Sequence, residues 1–386
     1  MTLDAFEIEL LSLLILCFTS QLLFYWIILA KPYQYMEFIS KMELQSPPEK
    51  PPVSVIITIK DSLSELLQFL PTILEQEYPV FEVVVVTDRL TDAYEEEFIR
   101  LKNQYPNLYS THVPEETRIV SRKKLALTLG IKAAKYDKLL FTECDIRTQS
   151  KNWICLMARH FSDKKSIVLG FSALESSKSL WSKFIAYDYF FSNLQMISLA
   201  LFNHPYAGNG RNMAYSKSHF IEQKGFVKYR TLKRGEDDLF VNEIVNTENT
   251  AVELSSQSVT IAEINDLSDW KCQKVDRMFT QGFYKRGPVA FWRMEIFSRI
   301  AFYAAIIICF ICGAPYTSLR DFLLPGVASF CLIARSFSQS IVIDKTIENL
   351  QLEKFKLKTL LFDLFQPFIN LYFYIYCVLK RKENFI

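Results

Sequence analysis

The sequence predicts a mixed α/β fold: a mainly parallel sheet with helices on both faces, flanked by N- and C-terminal transmembrane helices. Short β-branched runs alternate with helical patterns through the middle of the chain, and long uncharged runs lie near both ends. Hydrophobic residues make up 50% of the 386 residues and charged residues 22%, which excludes a disordered chain. A net charge of +2 argues against nucleic-acid binding, which usually needs a strong basic excess.

The N-terminal region, residues 1–46, is predicted to be a membrane anchor with its linker. Leu10 to Ala30 contains no charged residue and is long enough to cross a hydrocarbon core of about 30 Å as a helix. Glu7 and Glu9 precede this run and Lys31 follows it, which predicts that the residues after it lie in the cytoplasm. A cleaved signal peptide fits less well, because the first residues are acidic and no small-residue cleavage site follows.

Residues 47–287 are predicted to form a cytoplasmic domain built around the sheet. Val53 to Ile59 is a nearly continuous β-branched run, which is typical of a strand buried on both faces. The segments that follow are a helix at 64–77, a strand at 81–86, helices at 93–104 and 121–135, and a strand at 138–142. This order predicts parallel strands, and ligands of such sheets bind beyond the carboxyl ends of the strands.

Acidic residues follow two of these predicted strands. Asp88 comes after the second strand, and Glu143 and Asp145 come after the third, separated by Cys144. In an extended segment, residues i and i+2 point the same way. Glu143 and Asp145 therefore offer hard oxygen ligands that could bind Mg²⁺ or Mn²⁺ together with a diphosphate. A solvated turn is the other interpretation of this segment.

A second acidic group, Glu236-Asp237-Asp238, follows Gly235. Carboxylates suit the first turn of a helix, where they oppose its dipole, and a carboxylate can also be the general base for an attacking hydroxyl. Crowded carboxylates raise one another's pKa, which favours a base that works near neutral pH. The Gly-rich segment Gly208–Tyr215 lacks the spacing of a P-loop and is interpreted as a pocket wall or an ordinary loop.

The remaining segments suggest contact with the membrane. Trp270 to Arg286 alternates basic and aromatic residues, which fits a helix on anionic lipid or cations over a leaving diphosphate. The aromatic residues between Trp181 and Phe191 favour an apolar helix face on the membrane over a platform for sugars. Residues 288–386 are predicted to be an interfacial and transmembrane region. Residues 300–319 are long enough to span, and the number of further spans stays open.

Together these motifs resemble the membrane-bound glycosyltransferases of family 2, of the cellulose synthase and poly-N-acetylglucosamine synthase type. The resemblance lies in the order of the motifs and covers about Pro52 to Arg286. The matching segments are the first strand with its nucleotide-contacting turn (Val53–Lys60), an acidic turn (Thr87–Asp92), the Lys-x-Ala-Leu-x-x-Gly helix (Lys123–Ile131), the place of DxD (Glu143–Asp145), the ED pair (Glu236–Asp237) and the place of QxxRW (Lys274–Met278).

The resemblance implies a GT-A fold and inverting transfer of a sugar from a nucleotide-diphosphate donor, a UDP-sugar, to a hydroxyl of a glycan or lipid-linked acceptor. The implied roles are nucleotide contact by Thr58 and Asp88, diphosphate contact by Lys124 and Arg277, binding of Mg²⁺ or Mn²⁺ by Glu143 and Asp145, and general-base catalysis by Asp237 beside Glu236. The protein is accordingly expected to be an integral enzyme of the bacterial inner membrane, in contact with membrane lipid.

Two departures from the family pattern keep alternatives open. Glu143 replaces the first Asp of DxD, while Lys274 and Met278 replace the Gln and Trp of QxxRW, so sugar transfer is better founded than polymerisation. A polyprenyl phosphate acceptor would need no base, because a phosphate is already ionised. The altered motifs also fit a non-catalytic membrane subunit that binds nucleotide or supports a partner transferase.

Overall fold

The computed structural model of the protein describes residues 4–41, 50–59, 63–89, 92–114, 121–264, 267–313 and 321–380. The chain divides into two compact units. The helical unit contains Met1–Glu37 and Lys285–Tyr372, and the sheet unit contains Phe38–Tyr284 and Phe373–Ile386. Lys60 of the first matched motif, and Leu90 and Thr91 of the second, lie outside the described residues.

In the described part of the chain, the sheet unit contains a seven-stranded and a three-stranded sheet. Its strands are β1 (Val53–Ile59), β2 (Phe81–Thr87), β3 (Leu108–His112), β4 (Lys138–Glu143), β5 (Ile146–Thr148), β6 (Ile167–Gly170), β7 (Ser172–Glu175), β8 (Met213–Ser216), β9 (Thr250–Glu253) and β10 (Thr260–Glu263). The strand order is β3-β2-β1-β4-β8-β6-β9 in the large sheet and β5-β10-β7 in the small one. Strands β3, β2, β1 and β4 are parallel, whereas β8 runs antiparallel to both β4 and β6. The predicted mainly parallel sheet is therefore confirmed.

Some helices surround the large sheet, and others form the helical unit. They are α1 (Ala5–Leu23), α2 (Lys31–Lys41), α3 (Leu63–Leu74), α4 (Asp92–Gln104), α5 (Arg122–Ala133), α6 (Trp153–Ala158), α7 (Leu180–Leu201), α8 (Lys217–Glu222), α9 (Asp238–Ile244), α10 (Leu267–Thr280), α11 (Arg286–Gly313), α12 (Leu323–Asn349) and α13 (Lys358–Lys380). A π-helical stretch, Phe24–Leu29, connects α1 to α2.

The first two strands are buried because helices cover them. All residues of β1 except Thr58 are fully buried, as expected from their β-branched sequence. Helix α5 packs closely on the sheet at Gly130, where an added Cβ would lie only 2.9 Å from Ile56 Cγ2 and 3.0 Å from Val86 Cγ2. The glycine thus permits close contact between helix and sheet. Because α5 leads into β4, its N-terminus lies at the carboxyl ends of the parallel strands.

Four of the six aromatic residues of α7 lie in the core of the sheet unit, whereas Trp181 is exposed. Phe184, Tyr187, Phe190 and Phe191 are all buried, and the rings of Phe190 and Phe171 lie 5.6 Å apart. The interpretation of this segment as an apolar face on the membrane is therefore wrong for these four residues. Helix α7 is apolar around most of its circumference because it is a core helix, a pattern that the sequence shares with membrane-bound helices.

The long uncharged runs near both ends of the chain form helices. Among the residues that the structure describes, four helical segments are long and apolar enough to cross a membrane, which indicates a membrane protein: Ala5–Lys41, Arg286–Gly313, Leu323–Asn349 and Lys358–Leu379. Buried apolar side chains of α1, α11 and α12 form one cluster that includes Leu14, Phe302, Cys309 and Ala328.

Beside this apolar cluster lies a buried network of charged side chains, here the helical-unit network. Its centre is Asp363 of α13, which is fully buried. One oxygen of Asp363 accepts hydrogen bonds from Arg299 (2.9 Å) and the Tyr25 hydroxyl (3.1 Å). The other accepts from Arg335 (2.8 Å) and the Tyr303 hydroxyl (2.7 Å). Tyr25 lies in the π-helical stretch.

Further polar side chains, among them Glu295 and Gln21, join the same network. Arg299 also donates to Glu295 at 2.9 Å, and Arg335 donates to the Gln21 side chain at 2.9 Å. The two arginines and the two acids balance in charge, and each of these groups is buried. Burying a charge is costly unless it is paired and hydrogen-bonded, and here each charge meets an opposite one.

Candidate active site

Three predicted site residues lie together at the carboxyl edge of the large sheet. The register pairs Thr58 of β1 with Val86 of β2 on one side and with Glu143 of β4 on the other. Asp88 follows β2 directly, and its backbone N–H donates to the carbonyl of Ile59 at 2.8 Å. Thr58 is half-buried at this edge. The parallel order of the strands is what brings these separate chain segments together.

Asp88 is bound by the first residue of α5. The Arg122 guanidinium contacts a carboxylate oxygen of Asp88 through Nε and donates to its backbone carbonyl at 2.6 Å. The N-cap Ser121 fixes this helix end, since its hydroxyl accepts from the N–H of Lys124 at 3.3 Å. Arg122 thus orients the carboxylate that is predicted to contact the nucleotide.

Glu143 and Asp145, here the acidic pair, face two cations. Glu143 ends β4, and Asp145 lies in the turn between β4 and β5. Arg211 donates to Asp145 Oδ2 at 2.8 Å, and its Nε lies 2.9 Å from Glu143 Oε2. Lys123 donates to Glu143 Oε1 at 2.7 Å. Asp145 Oδ1 is a buried atom with no hydrogen-bond partner among the described residues.

These neighbours separate the pKa values of the two acids. Burial acts to raise the pKa of Glu143, but Lys123 and Arg211 outweigh burial and hold this pKa well below its ordinary value. The pKa of Asp145 is raised, because burial together with the charge of Glu143 outweighs the effect of Arg211. Glu143 is accordingly the more firmly ionised member of the pair.

Lys123 joins the acidic pair to the second acidic group. Its ammonium lies 2.7 Å from Glu143 Oε1 and 3.1 Å from Glu236 Oε1. These two carboxylates raise the pKa of Lys123 even though burial acts to lower it. Glu236 is buried, and its Oε2 has no hydrogen-bond partner in the part of the chain that the structure describes. The two acidic motifs therefore belong to one site.

Asp237 caps the short helix α9. Its Oδ1 accepts from the backbone N–H of Asp238 at 2.8 Å, and its Oδ2 accepts from the N–H of Gly210 at 3.1 Å. A Cβ at position 210 would lie 3.1 Å from that Oδ2, so only glycine allows this close approach without displacement. Unlike Glu236, Asp237 remains partly exposed. Both N–H donors orient the carboxylate that is predicted to be the base.

Asp238, the third residue of the acidic group, is buried. Burial first, and then the charge of Asp237, raise the pKa of Asp238 to about 6. Its Oδ2 accepts from the hydroxyls of Tyr284 (2.6 Å) and Thr280 (2.5 Å). The predicted crowding of carboxylates thus affects Asp238, whose hydrogen bonds connect α9 to the end of α10.

Lys124 lies apart from the acidic pair, although Lys123 is its neighbour in the chain. The Lys124 ammonium is buried and donates to the carbonyls of Tyr229 (2.7 Å), Leu232 (2.7 Å) and Arg234 (2.8 Å). Burial lowers the pKa of Lys124 to about 8. Its observed contacts hold the loop that leads into Gly235 and Glu236. Lys124 is therefore not a surface residue, and its predicted contact with the diphosphate stays a prediction.

The two cations of the segment in the place of QxxRW, Lys274 and Arg277, have different surroundings. The Lys274 ammonium lies 2.6 Å from both carboxylate oxygens of Asp188, a buried residue of α7. Arg277, one turn further along α10, is half-buried. Burial acts to lower the pKa of Arg277, but Tyr284, Tyr189 and Asp237 outweigh burial and raise it. Arg277 thus lies near the predicted base, whereas Lys274 fastens α10 to α7.

The acidic pair offers some, but not all, of the ligands that a divalent cation needs. No group of three or more His, Cys, Asp or Glu side chains is arranged to hold a metal within the described ranges. Glu143 and Asp145 supply two hard oxygen ligands, and the buried Asp145 Oδ1 is still without a partner among the residues described. Mg²⁺ commonly binds through one or two carboxylates, with substrate phosphates and water completing its shell. The residues present fit that arrangement.

A family model decides the class of the protein. The model described as glycosyl transferase family 21 matches residues 22–382, which is nearly the whole chain. The chain belongs to glycosyltransferase family 21. It is therefore a glycosyltransferase, and the match includes both the acidic pair and Asp237. The resemblance to family 2 stays a likeness in the order of motifs.

One solved structure has a similar fold. A mannosyltransferase from Pyrobaculum calidifontis, in complex with GDP-Man and Mn²⁺, is 16% identical, with 97% of this chain and 98% of that chain covered and a TM-score of 0.53. Residues 1–349 of TarS from S. aureus are also 16% identical, with 78% of this chain and 89% of that chain covered and a TM-score of 0.40. No curated protein sequence matches the chain. At this identity the first likeness shows the fold alone.

Sequence reasoning missed two residues of the site. Arg211 and Lys123 contact the acidic pair, but neither was among the predicted site residues. Arg211 lies inside the Gly-rich segment Gly208–Tyr215, which was interpreted only as a pocket wall or loop. Lys123 lies in the matched helix motif beside Lys124. A charged residue inside a Gly-rich turn is the signal that could have pointed to Arg211.

Proposed function

We propose that this family 21 enzyme transfers a sugar, with inversion, from a nucleotide-diphosphate sugar to a hydroxyl of a glycan or lipid-linked acceptor at the membrane. The proposal assigns catalysis to residues 47–287, as a GT-A domain in the cytoplasm of a bacterial inner-membrane protein. One observation carries it: a single ammonium, that of Lys123, lies within 3.1 Å of carboxylates from both acidic motifs. Metal-binding and base functions can therefore act on one bound donor.

In the proposed reaction the donor lies over the carboxyl ends of the strands. Thr58 and Asp88 contact the nucleotide, and Arg122 holds Asp88 in place. Glu143 and Asp145 are the residues that would hold a divalent cation beside the diphosphate. Bound Mg²⁺ or Mn²⁺ would stabilise the negative charge that develops on the leaving group. The Mn²⁺ in the mannosyltransferase structure supports this choice of cation.

Asp237 then acts as the general base. The acceptor hydroxyl transfers its proton to the Asp237 carboxylate while its oxygen forms a bond to the anomeric carbon. The bond between that carbon and the diphosphate oxygen breaks, and its electron pair leaves with the nucleotide diphosphate. Arg277 adds positive charge beside the leaving group. The N–H groups of Gly210 and Asp238 orient the base throughout.

The donor is tested first. Detergent-purified full-length protein is incubated with UDP-sugars and GDP-sugars, with and without Mn²⁺, and with a membrane lipid extract as the acceptor source. Release of nucleotide diphosphate is measured. Metal-dependent release from one donor, lost in Asp145→Ala, is the expected result. The UDP-sugar choice follows from the motif resemblance, and the GDP-sugars are included because of the mannosyltransferase complex. Absence of both release and metal-dependent nucleotide binding would favour the non-catalytic subunit.

Asp237→Asn distinguishes the two kinds of acceptor. With a hydroxyl acceptor, loss of the general base should lower turnover by about 10²–10⁴-fold. With a polyprenyl phosphate acceptor, most activity should remain, because no proton has to be removed. The exposed Glu248→Gln serves as the control, since it removes one carboxylate charge away from the site.

A further inference from the structure

The protein's own cations already occupy most of the acidic pair. Arg211 contacts both carboxylates, at 2.8 Å from Asp145 Oδ2 and 2.9 Å from Glu143 Oε2, and Lys123 occupies Glu143 Oε1. Three of the four carboxylate oxygens thus face a cation. Only Asp145 Oδ1 is without a hydrogen-bond partner among the described residues. A divalent cation that binds both carboxylates has to compete with the guanidinium.

The backbone of Arg211 is fixed, so only its side chain can leave the pair. The hydroxyls of Thr142 and Thr260 both donate to the Arg211 carbonyl, at 3.1 and 3.2 Å. Its N–H donates to the Asn209 side chain at 3.1 Å. The guanidinium carbon lies 5.6 Å from the ring centroid of Tyr189, an aromatic face that stabilises a cation. In its observed position the guanidinium therefore has an aromatic neighbour besides the two carboxylates.

The charges explain when such a rotation is favourable. The formal charges of Glu143, Asp145, Lys123 and Arg211 sum to zero, and Glu236, the other partner of Lys123, adds one negative charge. A divalent cation added to this group creates a local excess of positive charge, which is unfavourable in a partly buried site. A nucleotide diphosphate brings compensating negative charge and also offers oxygens to the released guanidinium. Metal and diphosphate should accordingly strengthen each other's binding.

We propose that Arg211 is a built-in counter-ion of the acidic pair, which a divalent cation displaces only when a nucleotide diphosphate binds with it. The released guanidinium then becomes a ligand of the diphosphate. This inference rests on the proposed function of Glu143 and Asp145. It adds a donor-binding residue outside the predicted set and makes metal binding dependent on the donor.

Mn²⁺ binding to the full-length protein in detergent tests the inference without an activity assay. Free Mn²⁺ is measured by electron paramagnetic resonance, alone and with UDP or GDP, after correction for Mn²⁺ that the nucleotide binds in solution. Arg211→Met removes the guanidinium, and Arg211→Lys leaves a point charge that cannot bridge both carboxylates. Arg147→Met is the control, because it removes the same charge from an exposed pair with Glu175. Melting temperatures confirm that each variant is folded.

The wild-type protein should bind Mn²⁺ weakly alone and much more tightly with one nucleotide. Without nucleotide, Arg211→Met should bind Mn²⁺ at least about tenfold more tightly than wild type, the size expected for releasing one charge-assisted hydrogen-bonded partner. Arg211→Lys should lie between them, and Arg147→Met should match wild type. If Arg211→Met does not fold, an increase in Arg211→Lys alone supports the inference.

Two results would overturn it. Equal Mn²⁺ affinities of wild type and both Arg211 variants without nucleotide would show that the guanidinium does not compete. Nucleotide-dependent Mn²⁺ binding by all of them would then leave the proposed function intact. Absence of Mn²⁺ binding in every protein, with or without nucleotide, would instead remove both the inference and the metal from the proposed function.

Discussion

Each unit of the protein pairs carboxylates with two cations, but the carboxylates of the two units are partnered differently. In the helical unit, both oxygens of Asp363 accept two hydrogen bonds each, from two arginines and two tyrosine hydroxyls. In the sheet unit, Arg211 and Lys123 reach three oxygens of the acidic pair and leave Asp145 Oδ1 without a partner among the described residues.

The difference indicates two roles for the same chemistry. A buried carboxylate with every oxygen satisfied gains nothing from a ligand, and its removal leaves its arginines as uncompensated buried charges. A buried carboxylate oxygen without a partner costs stability, and such costs are retained mainly at functional sites. The helical-unit network is thus interpreted as structural.

The largest effect is expected from Asp363→Ala. It leaves Arg299 and Arg335 buried without this acid, which should lower the free energy of unfolding by about 3–5 kcal/mol. Urea unfolding of the full-length protein in detergent measures the change. Glu348→Ala, which breaks an exposed pair with Lys354, is the matched control in the same unit. Equal stability of the two variants would contradict the structural role.

Asp145→Asn should lower activity without lowering stability, in contrast to Asp363→Ala. Donor turnover should fall by at least about a hundredfold, as expected when a metal ligand rather than an outer partner is changed. The melting temperature should stay constant or rise, because a buried charge is removed while Glu143 remains as a partner of Arg211. Turnover and melting are compared with those of the exposed Asp163→Asn. A large loss of stability would place Asp145 in the structural class with Asp363.

Asp238 is another buried carboxylate, and its effect on stability should depend on pH. Its pKa is raised to about 6 in the folded protein, so the native state favours its neutral form. Wild type should therefore lose stability relative to Asp238→Asn as pH rises from about 4 to about 6, by about 2–3 kcal/mol in total. The difference between the two unfolding free energies is measured from pH 4 to pH 7. A difference that does not change with pH would show that the folded and unfolded states bind this proton equally.

The smallest effect is expected at an exposed ion pair. Arg147→Met removes the partner of Glu175, and both side chains are about half exposed. Solvent screens such a pair, so the loss in free energy of unfolding should stay under about 1 kcal/mol. The same unfolding assay measures it. A loss as large as that of Asp363→Ala would mean that burial is not what separates these networks.

The sequence by itself determined the elements of the parallel half of the sheet. Strand β1 was predicted with its observed ends, and β2, β4 and helix α5 were predicted within two residues of theirs. This succeeded because a buried strand and an amphipathic helix each leave a local, periodic pattern of apolar residues. The acidic motifs could be read for the same reason, since each consists of neighbouring residues in the chain.

Only the tertiary structure decided which cations meet those acids. Arg211 is 66 residues from Asp145, and β8, which follows it, pairs antiparallel with β4. No local pattern encodes such a contact. Lys123 and Lys124 are neighbours on one helix, yet their side chains diverge by about 100°, so one reaches Glu143 and the other the carbonyls of a loop.

The environment of apolar helices was also decided only in three dimensions. Four rings of α7 would suit a membrane helix equally well, but the sheet unit buries them. An apolar sequence pattern predicts that side chains are shielded from water, but it does not predict whether lipid or protein surrounds them. Periodicity therefore determined the elements of this enzyme, whereas the packing of distant segments determined the partners of its charges.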